Sequence, residues 1–527
     1  MQTVGEALQQ ARRLAATGKL FEAEVIHRRL VEALPDAAQA WGELGVFYLS
    51  ANRPDAAIEP LSRAIQLDPK HGGYQGAMGA AHRLLGHSSD AVSAFERALT
   101  IGPPTAALHN NLALAQKDAG QHDAALVNFD AALAMQPNYQ TGHYNRGNFL
   151  LGMERAEEAA ASFERAVELD PQDAAAHCSL GVAYFDLVRF DDALAALDRA
   201  LALRPGYPEA RRNQALVWFS RGEYAKAWPA FESRLQCEDF AQRDYDQPRW
   251  NGTSLAGQTL LVHAEQGLGD TLQFVRYLPL AAQAAKRVWF EPRESLRPLL
   301  AESGFGQYLL PDGELPDFDV HASLLSLAGF LPDHRGQPIW PGPYLQAPAQ
   351  RVAHWAARLH ETPAFKVGIA WAGNPDHPHD RARSARLTRF APLGEVPGLQ
   401  LVSLQKGPGQ EQLDDLTEPW RPLDLFREAD PSVDPFVETA AIIANLDLIV
   451  SVDTAVAHLA AALGTPVWLA LAYAPDWRWR IEGATTPWYP DMRLFRQPTA
   501  GAWNEVFAKI GTELSRLVDP TASDAGR

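Results

Sequence analysis

Prolines recur at a constant interval of 34 residues through the first part of the chain. Alanines recur at the same interval, and a large apolar residue follows most of these alanines at a fixed distance. A constant period of this length restricts the fold to a stack of similar units, because each unit must bury its apolar face against its neighbours. The prolines are Pro35, Pro69, Pro103, Pro137, Pro171 and Pro205, and the alanines are Ala23, Ala57, Ala91, Ala125, Ala159, Ala193 and Ala227.

Each period predicts two antiparallel helices, with proline ending the second helix. Trp41, Leu44, Gly45 and Tyr48 complete the pattern of a first helix. This pattern closely resembles the tetratricopeptide repeat. The resemblance implies an α-solenoid of about seven units over residues 1–235, with a concave groove that holds a polypeptide partner.

Three histidines occupy the first-helix position at which the repeat pattern prefers tryptophan, namely His109, His143 and His177. Their spacing predicts that they line up along one face of the array. Packing between helices is the favoured interpretation, and a pH-sensitive or ligand-binding ladder is the alternative.

The charge balance excludes some classes of partner. There are 47 Lys and Arg residues against 64 Asp and Glu residues, which gives a formal net charge of −17. A general nucleic-acid binder should instead present a basic face. The two cysteines form no disulfide framework, and neither a signal-peptide core nor a bilayer-spanning apolar run is present. We therefore expect a cytoplasmic protein that does not insert into a membrane.

The periodicity changes after the repeats. Residues 236–257 lose the repeat pattern and read as a linker. Short apolar strands then alternate with helical segments, which predicts an α/β region with parallel sheets. Prolines near residue 340 suggest a crossing between two halves, a short one at 258–345 and a longer one at 346–519, and residues 520–527 read as a disordered tail.

Polar residues follow several predicted strands at the point where each strand ends. The carboxyl ends of parallel strands share one edge of a sheet, so these residues should converge on one crevice. Arginines are concentrated in the loop after one of these strands, and a guanidinium binds phosphate through two parallel hydrogen bonds. The predicted ligands are Gly269, Asn374, Arg381, Arg383, Ser384, Arg386, Gln405, Lys406, Asp453, Thr454 and Ala455.

The stretch 446–471 predicts a strand over 448–452, a tight turn, a helix over 455–463 and a second strand over 467–471. A helix start carries unpaired amides and the positive end of the helix dipole, so it binds phosphate readily. Capping by the side chain of Asp453 or Thr454 is the simpler alternative. His377 and His379 complete no metal site. The aromatic run Trp477, Trp479, Trp488 and Tyr489 predicts packing between the halves, with stacking on a base or sugar as the alternative.

The run from Asp453 to Pro466, DTAVAHLAAALGTP, resembles the signature of the lipopolysaccharide heptosyltransferases. This resemblance implies a GT-B fold of two Rossmann-type halves and a nucleotide-sugar donor, without metal or other cofactor. It further implies that Asp453, Thr454 and His458 hold the donor and that Asp270, which follows Gly269, is the general base. His263 is our second candidate for the base. Ala455 replaces a glycine of the family, and the first half is shorter than in the family.

Repeats followed by such a module resemble the order of parts in O-linked N-acetylglucosamine transferases and in certain bacterial flagellin glycosyltransferases. That resemblance implies transfer of a sugar to a Ser or Thr hydroxyl of a recruited protein, possibly flagellin, by a metal-independent glycosyltransferase. Two alternatives stay open. The chain is a scaffold with a non-catalytic α/β module, or it transfers sugar to a glycan or lipid.

Overall fold

The computed structural model describes residues 4–241, 243–331, 336–359 and 363–519. The chain divides into two compact units, Met1–Ala183 and Tyr184–Arg527. None of the described helices combines the length and the hydropathy needed to cross a membrane. The tail predicted at 520–527 lies outside the described residues.

The repeats form seven consecutive helix pairs, as the 34-residue period predicts. Their recurring alanines are buried, and the aromatic rings Phe95, Phe129 and Phe163 fill the spaces that these small side chains leave. The helices are α1 (Val4–Ala16), α2 (Leu20–Ala33), α3 (Ala38–Ser50), α4 (Pro54–Leu67), α5 (Gly72–Leu84), α6 (Ser88–Ile101), α7 (Ala106–Asp118), α8 (His122–Met135), α9 (Gln140–Gly152), α10 (Ala156–Leu169), α11 (Ala174–Asp186), α12 (Phe190–Leu203), α13 (Pro208–Ser220) and α14 (Tyr224–Phe231).

The recurring histidines make local contacts of the kind that Trp41 makes. The Trp41 indole Nε1 donates to the Pro35 carbonyl oxygen at 2.8 Å. Nε2 of His143 lies 2.9 Å from the Pro137 carbonyl oxygen, and Nε2 of His177 lies 3.3 Å from that of Pro171. Nδ1 of His109 instead lies 2.8 Å from Oδ1 of Asn128. These contacts agree with the packing interpretation.

The α/β region contains two wholly parallel sheets, which confirms the predicted fold class. The first sheet has three strands in the order β2-β1-β3, and the second has five in the order β5-β4-β6-β7-β8. The strands are β1 (Thr259–His263), β2 (Arg287–Glu291), β3 (Val320–Ser323), β4 (Phe365–Ala370), β5 (Leu399–Ser403), β6 (Leu448–Val452), β7 (Val467–Leu471) and β8 (Arg493–Arg496).

Helices of the α/β region cover the two sheets, and most of them are short. The longest is the last one, which packs its apolar face on the second sheet. They are α15 (Leu268–Phe274), α16 (Leu278–Ala284), α17 (Arg297–Leu300), α18 (Ser326–Phe330), α19 (Ala349–Leu359), α20 (Asp380–Arg383), α21 (Ala391–Gly394), α22 (Gln412–Asp415), α23 (Pro435–Ile443), α24 (Ala455–Leu463) and α25 (Trp503–Val518).

The first helix of the α/β region begins earlier than the sequence pattern predicts. The helical pattern of the sequence begins at Thr271, after the Gly-rich segment 265–270, whereas α15 starts at Leu268. The Asp270 carboxylate accepts a hydrogen bond from the Gly267 amide at 2.7 Å, so the Gly-rich segment forms the first turn of the helix itself. By contrast, β6, α24 and β7 have the predicted bounds. Gly464 ends α24 in the left-handed conformation, with φ of 87°.

The last repeat shares one apolar core with both halves of the α/β region. The Phe219 ring of α13 stacks on Trp477 with ring centroids 4.3 Å apart. The Arg234 guanidinium, just after α14, pairs with the Glu265 carboxylate at 2.7 Å. The division into compact units falls inside α11, and the predicted domain bounds stay a proposal.

Candidate functional site

The turn after β1 holds the start of α15 in a strained backbone. Gln266 has φ of 56°, a conformation that non-glycine residues seldom adopt and that clusters at functional sites. Gly267 stands at the N-cap position, and Asp270 lies in the first turn with its carboxylate turned back to the Gly267 amide. The turn therefore fixes the orientation of Asp270.

The start of α24 has no side-chain cap. Thr454 occupies the N-cap position in an extended conformation, but its side chain makes no capping hydrogen bond. The Thr454 hydroxyl instead lies 3.1 Å from the hydroxyl of Ser451. The Thr454 side chain therefore does not cap α24. The first amides of the helix keep their affinity for an anion.

The two helix starts lie against each other. A Cβ atom on Gly269 would lie 2.9 Å from Cδ2 of His458 and 3.6 Å from Cα of Ala455. The absence of a side chain at Gly269 is therefore what allows α15 to approach α24 this closely. Gly269-Asp270 of the first half therefore lies beside α24 of the second half, although about 180 residues separate them in the sequence.

Arg478 joins the two halves electrostatically. The Arg478 side chain is 8% exposed and forms ion pairs with Asp270 and Asp476, the latter at 2.9 Å. Its Nε donates to Oε1 of Gln273. Burial raises the pKa of the Asp270 carboxyl, and the positive charge of Arg478 opposes that rise. Asp270 is thus a carboxylate with raised basicity that is held in one orientation.

Asp453 and His458 flank the same guanidinium. Burial raises the pKa of the Asp453 carboxyl to about 6, and the charge of Asp476 adds to the rise. Burial lowers the pKa of His458 well below its ordinary value, and Arg478 adds to the fall. Nδ1 of His458 lies 3.0 Å from the Tyr489 hydroxyl, so the neutral ring has a fixed orientation.

The arginine loop after β4 contributes one cation to this neighbourhood. Ser384 accepts a hydrogen bond from the Gly373 amide at 2.9 Å and donates to Asp380, which ties the loop back to the strand end. Arg383 lies close enough to lower the pKa of both Asp453 and His458. Ser384 therefore shapes the loop, and Arg383, which pairs with Asp380 at 3.4 Å, acts on the site through its charge.

The remaining predicted ligands of this loop point away from such contacts. Arg381 and Arg386 are exposed, and so is Asn374, whose Oδ1 accepts from the Asp376 amide. His377 is exposed as well. Of the predicted arginines, Arg383 is the one that the structure brings to Asp453.

Gln405 is buried, and its amide group is fully used by the backbone. Its Oε1 accepts from the amides of Trp371 and Ala372, both at 3.0 Å. Its Nε2 donates to the carbonyl oxygens of Ala372 and Pro408. It therefore connects the ends of β4 and β5 instead of facing a ligand. Lys406 is exposed, with its ammonium 5.5 Å from the centre of the Phe426 ring.

His263 belongs to a different cluster. It is 2% exposed, and its Nε2 lies 3.4 Å from Nδ1 of His321. Burial lowers the pKa of His263 to about 3, and Arg243 and His321 add to the fall. A buried imidazole with so low a pKa is a poor general base near neutral pH, so the structure does not favour this second candidate.

The aromatic run is buried, as the packing interpretation predicts. Trp479 stacks on His458 with ring centroids 5.3 Å apart, and Trp477 packs edge-on against Trp488. The rings therefore pack against His458 and against each other instead of presenting a face to a ligand.

Sequence reasoning missed Arg478 and Asp476. Both follow β7, so they stand at the carboxyl end of a parallel strand like the residues that were predicted. The sequence pattern around them indicates only the aromatic run that contains Trp477 and Trp479. Applying the strand-end rule to β7 as well would have identified both residues.

Two family models match the chain. The tetratricopeptide repeat model matches residues 8–71, 110–174, 144–208 and 178–244. The model of glycosyltransferase family 9 (heptosyltransferase) matches residues 435–488, a stretch that holds Asp453, His458 and Arg478.

Protein FlbA of Caulobacter vibrioides is 27% identical over 328 residues, which cover 57% of this chain and 54% of that protein. The chain thus spans about half the length of the curated relative it matches.

Similar solved structures include the APC/C hetero-tetramer Cut9-Hcn1, at 21% identity over 44% of this chain and 46% of that chain with a TM-score of 0.38. YrrB, described as a TPR protein with an unusual peptide-binding site, is 23% identical over 35% of this chain and 95% of its own, with a TM-score of 0.30. A thermophilic TPR protein of Thermus thermophilus is 22% identical over 34% of this chain and 97% of its own, with a TM-score of 0.31. By the two family models, the chain combines tetratricopeptide repeats with a heptosyltransferase-like domain of glycosyltransferase family 9.

Proposed function

We propose that the chain is a metal-independent glycosyltransferase that moves a sugar from a nucleotide-activated donor to a Ser or Thr hydroxyl of a protein. The match to glycosyltransferase family 9 supports the class. The observation that carries the proposal is the contact between the starts of α15 and α24 at Gly269 and His458, beside which the buried Arg478 pairs with Asp270 and Asp476.

The donor diphosphate is proposed to bind at the start of α24. The uncapped amides there supply the positive end of the helix dipole, and the Thr454 hydroxyl lies beside them. Arg383 adds a guanidinium next to Asp453. A diphosphate that leaves during the reaction gains negative charge, and fixed donors of this kind stabilise that charge in the transition state.

Asp270 is proposed to act as the general base. Its carboxylate takes the proton of the acceptor hydroxyl while the hydroxyl oxygen forms a bond to the anomeric carbon. The bond from that carbon to the diphosphate oxygen breaks, and the electron pair leaves with the diphosphate. The raised pKa of Asp270 suits this role, and its bonds to Arg478 and Gly267 keep it oriented.

The repeats are proposed to hold the acceptor protein. Tetratricopeptide arrays bind extended peptides or helices of other proteins along their stacked helices. Flagellin is the acceptor that the order of parts suggests. The groove would raise the local concentration of acceptor hydroxyls near the transfer site, as tethering does in general.

A panel of UDP-, GDP-, ADP- and CMP-sugars, tested for thermal stabilisation of the full chain, examines the donor site. A ligand that binds only the folded state raises the melting temperature by mass action. We expect one nucleotide to stabilise the protein and Arg383→Ala to abolish this shift. Arg386→Ala is the matched control, because Arg386 is an exposed arginine of the same loop, and it should keep the shift.

The three-stranded first sheet and Ala455 favour a second candidate function, a scaffold without turnover. If no nucleotide sugar raises the melting temperature at about 1 mM, the scaffold is favoured over the transferase. That concentration is hundreds of times above the dissociation constant of a tightly bound donor. Stabilisation by a nucleotide sugar that Arg383→Ala leaves intact would instead place the donor elsewhere.

A further inference from the structure

The turn between α5 and α6 gathers two imidazoles and a carboxylate. His82 lies in the last turn of α5, His87 directly precedes α6, and Asp90 lies in the first turn of α6. One ligand atom from each of the three side chains lies within 4.8 Å of the others. Among the described residues, this is the group of three such side chains that comes together in this way.

The backbone holds the three residues in this arrangement. The His87 amide donates to the His82 carbonyl oxygen at 2.9 Å, which closes the turn. Gly86 between them has φ of 77°, a conformation that glycine adopts without strain. His87 occupies the N-cap position of α6 without a capping bond from its side chain. The imidazole of His87 is therefore free to turn towards its neighbours.

The position equivalent to His87 carries a lysine or arginine in four other repeats. The Arg53 guanidinium lies 4.8 Å from the centre of the Tyr48 ring, and these two residues stand 34 positions before His87 and His82. In a later repeat, Arg189 lies 4.2 Å from the centre of the Tyr184 ring and pairs with Asp192 at 2.8 Å. An aromatic ring, a cation and, in that later repeat, a carboxylate thus occupy this turn.

The third repeat keeps the carboxylate but lacks the arginine. Asp90 forms no ion pair with a lysine or arginine among the described residues. In the same part of the chain, Nδ1 of His82 is buried and has no hydrogen-bond partner. A buried nitrogen without a partner costs free energy unless something binds it. A cation in the place of the missing guanidinium would satisfy both the Asp90 carboxylate and the His82 nitrogen.

We propose that His82, His87 and Asp90 bind one divalent transition-metal ion of the Zn²⁺ class. Imidazole nitrogen and carboxylate oxygen are the ligands that such ions take in proteins, and three protein ligands leave a position for water. Tetrahedral coordination needs ligand atoms about 3.3 Å apart. Rotation of the exposed His87 and Asp90 side chains supplies the required approach.

The test is a titration of the full chain with Zn²⁺ after chelator treatment and dialysis, followed by calorimetry. Co²⁺ serves as a second probe, because its visible absorption reports coordination by nitrogen and oxygen. We expect one ion per chain. The double variant His82→Tyr with His87→Arg reproduces the pattern of Tyr48 and Arg53, so it should fold and lose more than about 100-fold in affinity, since even outer-sphere changes cost 10–100-fold.

Two controls keep the test decisive. His122→Ala removes an exposed histidine of the next repeat and should bind Zn²⁺ as the wild type does. Asp90→Asn, which leaves both rings in place, should weaken binding if the carboxylate is a ligand. Equal binding by the double variant would place the ion elsewhere in the chain, and no binding by the wild type would show that the three side chains hold no metal; either result would overturn the proposal.

Discussion

Arg478 is the residue on which the charges of the site converge. Its guanidinium pairs with Asp270 from the first half and with Asp476 beside it, while Asp453 lies near enough to raise the pKa of the guanidinium. A buried carboxylate without such a partner would be costly. Arg478 therefore offsets the negative charges of three neighbouring acidic groups, and its ion pair with Asp270 fixes the orientation of that carboxylate.

The raised pKa of Asp453 makes the unfolding free energy depend on pH, and its direction fixes the sign of that dependence. The folded chain keeps the Asp453 proton up to about pH 6, whereas the unfolded chain releases it near the ordinary pKa of 3.8. The neutral form thus stabilises the fold at low pH, and this contribution is lost as pH rises from about 4 to 6. At ~1.4 kcal/mol per pH unit, the loss is about 2–3 kcal/mol.

We therefore expect Asp453→Asn, which does not titrate, to gain about 2–3 kcal/mol of unfolding free energy relative to the wild type between pH 4 and 7. Urea unfolding of both proteins, followed by tryptophan fluorescence at each pH, measures this difference. If the unfolding free energies of the two proteins change with pH in the same way, the raised pKa of Asp453 in the folded protein is contradicted.

Two helix starts and one turn make the site at the scale of elements. The starts of α15 and α24 meet because Gly269 has no side chain, so the distance between the two halves is set at this glycine. The turn before α15 is fixed from the other side, because Glu265 is bound to Arg234 at the end of the repeats. Elements remote in sequence thus position Asp270 jointly.

Gly269→Ala should push the two helix starts apart. The added methyl group would lie 2.9 Å from a buried imidazole, so overpacking should cost about 1–3 kcal/mol of unfolding free energy and weaken donor binding. Chemical denaturation gives the first quantity and the thermal-shift panel the second. Gly306→Ala, whose nearest neighbours would be 3.7 Å away, is the control and should change neither.

Removal of the Arg234 guanidinium should be far more costly than removal of an exposed one. Arg234→Met leaves the Glu265 carboxylate buried and unpaired, which costs about 3–5 kcal/mol. Arg212→Met breaks the pair of Arg212 with exposed Asp239 and should cost about 1 kcal/mol or less. Similar losses in both variants, measured by denaturation, would contradict the positioning role assigned to the buried pair.

At the scale of the whole molecule, the sequence predicts the architecture well and the site only in part. The 34-residue period and the alternation of strands and helices specify the solenoid and the parallel sheets, because both patterns are local. The bounds of β6, α24 and β7 follow from apolar runs ending at Gly464 and Pro466. The pairing of Asp270 with Arg478 joins residues about 200 positions apart, and no local pattern predicts such a contact.

The same limit explains the misplaced ligands. Gln405 stands at a strand end, as binding residues do, but the structure uses it to join the ends of β4 and β5. Position along a strand predicts which residues reach the edge of a sheet. Whether such a residue faces solvent or the neighbouring backbone depends on tertiary contacts.

Transfer of labelled sugar to protein tests the central claim most directly. The full chain, supplied with the nucleotide sugar that stabilises it and with proteins of its source organism, should label a protein band. Asp270→Asn should bind the donor and lose labelling by at least about 100-fold, as loss of a general base does. Asp476→Asn, the neighbouring carboxylate that also pairs with Arg478, should retain most of it. Donor binding without any labelled protein, or full labelling by Asp270→Asn, would contradict the account.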